Sequence, residues 1–203
     1  MILPIITAPD RRLKVKSEPV HTVDATVRKL MDDMVKTMRA APGIGLSAIQ
    51  VGVAKRVVVV EVDEAEPLAA EEAIVPKDKA PKDAAEDAPE DAPGDAKPRT
   101  TRYLVNPEID WSSDKVVFCE EGCLSLPDQY ADIERPAEIV VKYLDYDGKP
   151  QELKAGGMLA RCIQHELDHL DGVLLVDRLS AVRRHMILRK LAKARKLEQP
   201  VDA

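Results

Sequence analysis

Residues 162–172 read Cys-Ile-Gln-His-Glu-Leu-Asp-His-Leu-Asp-Gly and contain two histidines four positions apart, with a glutamate directly after the first. On an α-helix, side chains four positions apart lie on the same face, so His165 and His169 can bind one metal ion. Glu166 is then near enough to exchange a proton with a metal-bound water without being a ligand. The pattern favours a metal site over two histidines that merely align on a solvated helical face.

Two histidines do not complete a catalytic metal site, which normally has three protein ligands and one open position. Cys123 is one candidate, because the glycine before it lets the backbone approach an ion closely. Cys119 is the competitor, since all four residues together would form a closed Cys₂His₂ zinc site without catalysis; its place after a β-branched run favours a small buried residue instead. A zinc endopeptidase would need another ligand, and the remaining candidates are Asp168, Asp171, Asp177 and His185.

Three segments have the patterns of helices that could position these residues. In residues 22–43, apolar residues recur every three or four positions, which predicts an amphipathic helix ended by Pro42-Gly43. The helix with both histidines is expected to begin after Gly156-Gly157 and to end at Gly172, a residue suited to the left-handed conformation past a helix end. A C-terminal helix is expected from Ser180, with one apolar side formed by Val182, Met186, Ile187, Leu191 and Ala194.

Strands are expected in the middle of the chain. Residues 56–62 and 115–121 are β-branched runs, and residues 138–155 alternate around Asp147-Gly148, which is typical of a β-hairpin. We therefore expect an α+β fold in which antiparallel β-sheets pack around the central helix that carries the two histidines, with one helix near each end of the chain.

Length and charge indicate one domain with an unusual segment inside it. The 203 residues carry a formal net charge of −6 and fit a single catalytic domain over residues 1–203. Residues 63–99 contain twelve acidic and five basic side chains, six prolines and ten alanines, so a disordered acidic insertion is expected there. It is expected to be solvated filler or, alternatively, an acidic interaction segment.

Composition also excludes several classes of protein. No apolar run reaches the ~18 residues that a membrane span needs, so no membrane association is expected. Three cysteines and a first segment without a basic leader predict reduced thiols and a cytoplasmic protein. With one Trp and one Phe, the chain lacks the aromatic surfaces of single-stranded nucleic-acid binders, and sequence-specific nucleic-acid binding is not expected.

Three motifs together resemble the polypeptide deformylase family. They are Gly-Ile-Gly-Leu-Ser-Ala-Ile-Gln at residues 43–50, Glu-Gly-Cys-Leu-Ser at 121–125 and Gln-His-Glu-Leu-Asp-His-Leu at 164–170. They occur in the family's order, and the resemblance covers nearly the whole chain outside residues 63–99. It implies a metal-dependent hydrolase that removes the N-formyl group from the N-terminal methionine of nascent polypeptides and releases formate.

The resemblance also implies a role for each matching residue. Cys123, His165 and His169 would bind the metal, and Glu166 would be the general base and then the acid. The side-chain amide of Gln50 and the backbone N–H of Leu124 would form the oxyanion hole. The substrate groove would be lined by Gly45 and Leu46, and an apolar pocket for the methionine side chain by Ile44, Met158 and Cys162. Tyr130 stands where many relatives carry an arginine, and Glu121 could pair with Arg135, although a solvated Arg135 fits the sequence equally well.

The resemblance also bears on the cofactor and the partners of the protein. Family resemblance implies Fe²⁺ in the cell, whereas the ligand set and the affinity order allow Zn²⁺, Ni²⁺ or Co²⁺ in purified protein. Residues 180–197 are predicted to form a basic C-terminal helix with seven Lys or Arg residues. This helix is expected either to be a solvated face or to contact the ribosome, because ribosomal RNA attracts a basic patch.

Overall fold

The structure, a computed structural model, describes residues 1–62 and 100–198, with side chains described up to residue 194. The predicted insertion at residues 63–99 lies outside the described residues. The described chain contains three α-helices, α1 (Ala25–Ala40), α2 (Gly157–Leu170) and α3 (Ala181–Glu198). It also contains seven β-strands, β1 (Gly45–Ser47), β2 (Val57–Val62), β3 (Thr100–Ser112), β4 (Val116–Cys123), β5 (Leu126–Pro136), β6 (Glu138–Leu144) and β7 (Pro150–Gly156).

The strands form two antiparallel sheets. The larger sheet has five strands in the order β1-β2-β3-β6-β7, and β4 and β5 form a separate two-stranded sheet. Val62 and Thr100, at the two ends of the undescribed segment, are directly paired across β2 and β3. The predicted strands at 56–62 and 115–121 and the hairpin at 138–155 are confirmed, as is the mixed fold with antiparallel sheets. Within the described residues no helix has the length and apolar character needed to cross a membrane.

Helix α1 begins and ends where its sequence predicts. The side chain of Asp24 accepts a hydrogen bond from the backbone N–H of Val27 (2.9 Å), which satisfies one of the free donors at the helix start. Met31, Met34 and Met38 are completely buried and pack in a cluster with residues of β1 and β2. The methionine stripe is therefore part of the hydrophobic core, and it holds the short strand β1 in place.

Helix α2 packs one face on the five-stranded sheet. Ile163, Leu167 and Leu170 belong to a core cluster with Val58 and residues of β3, β6 and β7. The helix ends at Leu170, and Gly172 has a φ of +74°, where a side chain would be strained. A Cβ there would also lie 2.6 Å from a backbone carbonyl oxygen of the N-terminal segment. The predicted end of this helix is confirmed.

Helix α3 packs on the two-stranded sheet with only part of its predicted apolar side. Leu191 is buried, and Ile187 and Leu188 pack with it against a cluster that includes residues of β5. Val182 and Met186 were predicted to share the apolar side, but they are 73% and 66% exposed. Ala194, predicted on the same side, is exposed too, so the prediction holds for Ile187 and Leu191 and is wrong for the other three residues.

Candidate active site

A cleft of about 550 Å³ lies between three parts of the chain. One wall is the segment around β1, the other is the end of the β4–β5 hairpin, and α2 contributes one face to the floor. Met158, Arg161, Cys162, His165 and Glu166 line the cleft from α2 at spacings of three and four positions, as residues on one helical face must.

Cys123, His165 and His169 converge beside this cleft. Their potential ligand atoms all lie within 4.8 Å of one another, and the Cys123 Sγ lies 3.2 Å from Nε2 of His169. Cys123 ends β4, and the pairing of β4 with β5 is interrupted directly after Gly122, which turns the thiol toward α2. Two elements distant in sequence thus bring together one sulfur and two nitrogen donors, a set suited to a transition-metal ion.

The surroundings shift the pKa values of the two histidines in opposite directions. Burial lowers the pKa of His169 well below its usual value, so this imidazole is neutral, as a metal ligand must be. Burial also acts to lower the pKa of His165, but hydrogen bonds with Cys123 and Glu121 prevail and raise it. His169 Nδ1 and one carboxylate oxygen of Glu166, Oε2, are buried without a hydrogen-bond partner in the described structure. The donor set of one thiol and two imidazoles fits a bound divalent ion.

A buried chain of ion pairs orients His165. Its Nδ1 lies 2.9 Å from Oε2 of Glu121, which leaves Nε2 free to face the other ligands. Arg135 donates two hydrogen bonds to Glu121 (2.8 and 2.9 Å) and one to Asp168 (2.7 Å). Burial acts to raise the pKa of Glu121, but the bonds from Arg135 and His165 lower it to about 2. Glu121 is therefore ionised and can hold the Nδ1–H of the ring.

The burial of Arg135 decides between the two expectations that the sequence left open for this residue. Arg135 is only 2% exposed and joins β5 to β4 and α2, so the solvated alternative is wrong. The contact of Glu121 with His165 was missed altogether, because neither residue type nor spacing indicates a pairing across 44 positions. Ala131, Ile133 and Arg135 occupy alternate positions of β5, and all three are buried. Because side chains alternate along a strand, the two apolar residues are the signal in the sequence that could have placed Arg135 on the inward side.

Glu166 lies against Gly45 of β1, a position that has no room for a side chain. A Cβ at Gly45 would be 2.6 Å from both Oε1 of Glu166 and Sγ of Cys162, closer than side chains can approach. Burial raises the pKa of Glu166 to about 7, although the charge of His165 acts in the opposite direction. A carboxyl group with this pKa can both accept and release a proton near neutral pH.

Gln50 is held with its amide nitrogen directed at Cys123. Its carbonyl oxygen accepts hydrogen bonds from the backbone N–H (2.9 Å) and hydroxyl (2.8 Å) of Ser47. Its Nε2 lies 3.2 Å from the hydroxyl of Ser125 and 3.8 Å from the sulfur of Cys123. The two serines were not predicted to have this role, although both lie within the motifs that carry the family resemblance. Leu124 also lines the cleft.

The apolar part of the cleft contains most of the predicted pocket residues. Ile44, Met158 and Cys162 all line it, and burial raises the pKa of the Cys162 thiol, which stays neutral. Gly45 lines it as well, but Leu46 does not. The side chain of Leu46 is completely buried in the core with residues of α1, because successive residues of a strand point to opposite sides. The expectation that Leu46 lines the groove with Gly45 is therefore corrected for its side chain.

Cys119 lies apart from the three converging residues. It is buried, and the group of potential ligands in the described residues contains Cys123 but not Cys119. His185, on α3, is also outside the group. A thiol, two imidazoles and a buried carboxyl group beside one cleft fit a metal-dependent hydrolase better than a closed structural site.

Comparison with known proteins identifies the family. The polypeptide deformylase family model matches residues 2–185. A peptide deformylase of Pelagibacter ubique is 47% identical over 189 residues, which cover 93% of this chain and 92% of that protein. The crystal structure of peptide deformylase from Ehrlichia chaffeensis has a TM-score of 0.79 with 38% identity, covering 98% of this chain and 99% of that one. A crystal structure of the Ehrlichia chaffeensis enzyme in complex with actinonin has a TM-score of 0.77 and 39% identity, with coverage of 95% and 97%.

The chain belongs to the polypeptide deformylase family. It is accordingly an enzyme that removes the N-formyl group from nascent polypeptides, and the resemblance seen in its three motifs is confirmed.

Proposed function

We propose that Cys123, His165 and His169 hold the metal ion of this deformylase and that Glu166 is its general base and acid. The observation that carries the proposal is the convergence of these three donors beside a cleft that the buried Glu166 also lines. A divalent ion held there would lower the pKa of a bound water and so supply the nucleophile for the formyl carbonyl.

The residues of the chain perform the proton transfers. Glu166 accepts a proton from the attacking water, for which its pKa of about 7 is well suited. The protonated Glu166 then delivers this proton to the departing amine, and formate leaves with the oxygen of the water. Gly45 lets the carboxyl group lie directly beside the cleft, because no Cβ stands between them.

Gln50 and Leu124 are proposed to stabilise the oxygen of the tetrahedral intermediate. Ser47 fixes the carbonyl end of the Gln50 side chain, so that Nε2 can donate a hydrogen bond without reorientation. The backbone N–H of Leu124 would supply the second donor from the residue that follows Cys123. Each donor of this kind contributes about 3 to 4 kcal/mol to the transition state in a site that excludes water.

The methionine side chain of the substrate is proposed to occupy the apolar part of the cleft. Ile44, Met158 and Cys162 offer a flexible apolar surface of suitable chemistry, and Gly45 and the neighbouring backbone of Leu46 would bind the peptide main chain. Helix α2 is proposed as the central element of the fold, since it provides two ligands, the general base and two pocket residues.

Iron is proposed as the physiological metal, as Fe²⁺. Zinc, nickel or cobalt would also suit one thiolate and two imidazoles, and zinc ranks above ferrous iron in affinity for such sites. Purified protein is therefore expected to carry Zn²⁺, Ni²⁺ or Co²⁺ when iron is lost. Metal content and activity measured before and after reconstitution with each ion under anaerobic conditions would test this assignment.

Metal analysis combined with three substrates tests the enzymatic proposal. The substrates are a formyl-Met peptide, the same peptide without the formyl group, and a peptide that reports cleavage of an internal peptide bond. Cys123→Ser is expected to lose metal and activity, and Glu166→Ala to keep metal but lose turnover. Cys119→Ser is the matched control and should keep both. Metal loss in the Cys119 variant, or turnover without Glu166, would contradict the assignment; cleavage of the internal bond would indicate an endopeptidase.

The setting proposed for this activity is the cytoplasm, where nascent N-formylmethionyl chains emerge from the ribosome. The basic residues of α3 are proposed to contact ribosomal RNA without recognising a base sequence. No membrane partner is proposed. Substitution of Arg189, Lys190 and Lys193 by Gln is expected to weaken ribosome association while turnover of a free formyl peptide persists. Three Gln substitutions at exposed lysines outside α3 are the control: Lys36, Lys115 and Lys149. Equal association of both triple variants would refute the contact.

A further inference from the structure

Arg161 is a cation in the cleft that the proposed mechanism does not use. It lies on α2 and lines the cleft with Met158 and Cys162, and it is half-buried. In the parts of the chain that the structure describes, no hydrogen bond or ion pair involves its guanidinium. By contrast, Arg56 and Arg135, which are also shielded from water, are each paired with a carboxylate.

Away from the proposed metal site, the charged residues on the two sides of the cleft have opposite signs. Arg161 is on the α2 side, and Glu120 and Asp128 line the cleft from the hairpin formed by β4 and β5. Both carboxylates are on exposed residues. A charged side chain of a bound peptide would therefore be attracted on one side of the cleft and repelled on the other.

An extended peptide places its first and third side chains on the same side of its backbone, roughly 7 Å apart. If the first side chain occupies the apolar part formed with Met158 and Cys162, the third also points toward α2. Arg161 is the charged residue beside that apolar part, and its long side chain can reach across such a distance. The second side chain would point toward Glu120 and Asp128 instead.

We propose that Arg161 is a specificity-determining residue that pairs with an acidic side chain at the third position of the formylated substrate. The inference rests on the proposed function, because it needs the first side chain to occupy the pocket. A partly exposed ion pair of this kind gives a modest preference, about two- to fivefold in kcat/KM. The preference should appear in KM rather than in kcat, since Arg161 is not among the residues that act on the formyl group.

Four amidated peptides test this assignment: formyl-Met-Ala-Asp-Ala, formyl-Met-Ala-Lys-Ala, and the two peptides with Asp or Lys moved to the second position. The wild-type protein is expected to prefer Asp to Lys at the third position. Arg161→Gln should abolish that preference, and Arg161→Glu should reverse it. Arg183→Gln, an exposed arginine on α3, is the matched control and should retain the wild-type ratio. High salt should weaken the wild-type preference because it screens the pair.

The outcomes separate the inference from the proposed function. An Asp-to-Lys ratio that is the same in wild type and Arg161→Gln would overturn the role of Arg161. A stronger preference for Asp at the second position than at the third would overturn the predicted direction of the side chains. Failure of the wild-type protein to deformylate any of the four peptides would instead contradict the proposed function.

Discussion

Substitution of Glu121 by Gln tests whether the buried ion pairs stabilise the site. Gln keeps one oxygen that can accept from Arg135, but it loses one of the two charge-assisted bonds, and its amide donors cannot accept the Nδ1–H of His165. Removing one partner of a buried ion pair costs about 3 to 5 kcal/mol. Asp168 remains 2.7 Å from Arg135 and compensates in part, so we expect the free energy of unfolding to fall by about 2 to 4 kcal/mol.

Urea denaturation of the metal-free protein would measure this loss. Glu120→Gln is the matched control, because it changes the neighbouring residue of the same strand on the exposed side, and it should stay within about 0.5 kcal/mol of wild type. Metal affinity of Glu121→Gln should also fall about 10- to 100-fold, since the carboxylate that orients His165 is gone. A Glu121 variant as stable as the Glu120 variant would refute the reasoning.

Three further changes have outcomes that the structure predicts. Gly45→Ala should lower kcat at least about 100-fold and the free energy of unfolding by about 1 to 3 kcal/mol, because the methyl group displaces both Glu166 and the buried sulfur of Cys162; activity within tenfold of wild type would contradict this. Replacement of residues 63–99 by Asn-Gly should leave melting temperature and turnover unchanged, since the flanking strand ends are paired, and loss of soluble protein would count against it. Leu191→Ala should cost about 2 to 4 kcal/mol in urea denaturation, whereas Met186→Ala should cost under about 0.5 kcal/mol; equal losses would mean that the exposed face of α3 is misassigned.

Local patterns predicted most of the secondary structure. The apolar spacing in α1, the β-branched runs of β2 and β4 and the Asp147-Gly148 turn correspond to the observed elements, because each depends on neighbours a few positions away. The spacing of His165 and His169 likewise fixed their common face. These features need no knowledge of what packs against them.

Long-range packing accounts for what the sequence did not reveal. Leu46 and Gly45 share a motif, but strand alternation sends one side chain to the core and leaves the other beside the cleft. The apolar residues of α3 could not be sorted into buried and exposed before the surface that it covers was known. Arg135 is equally ambiguous in sequence, because its burial depends on carboxylates from two other elements.

The ligand group also ties the stability of the protein to its supply of metal. Cys123 and His169 are 46 positions apart, so an ion bound to both would close a long loop of chain between a hairpin and a helix. A ligand that binds only the folded state adds about 2.7 kcal/mol when its free concentration is a hundred times its dissociation constant. Metal starvation would then reduce the cellular amount of this protein as well as its turnover, because a larger unfolded fraction is exposed to proteases.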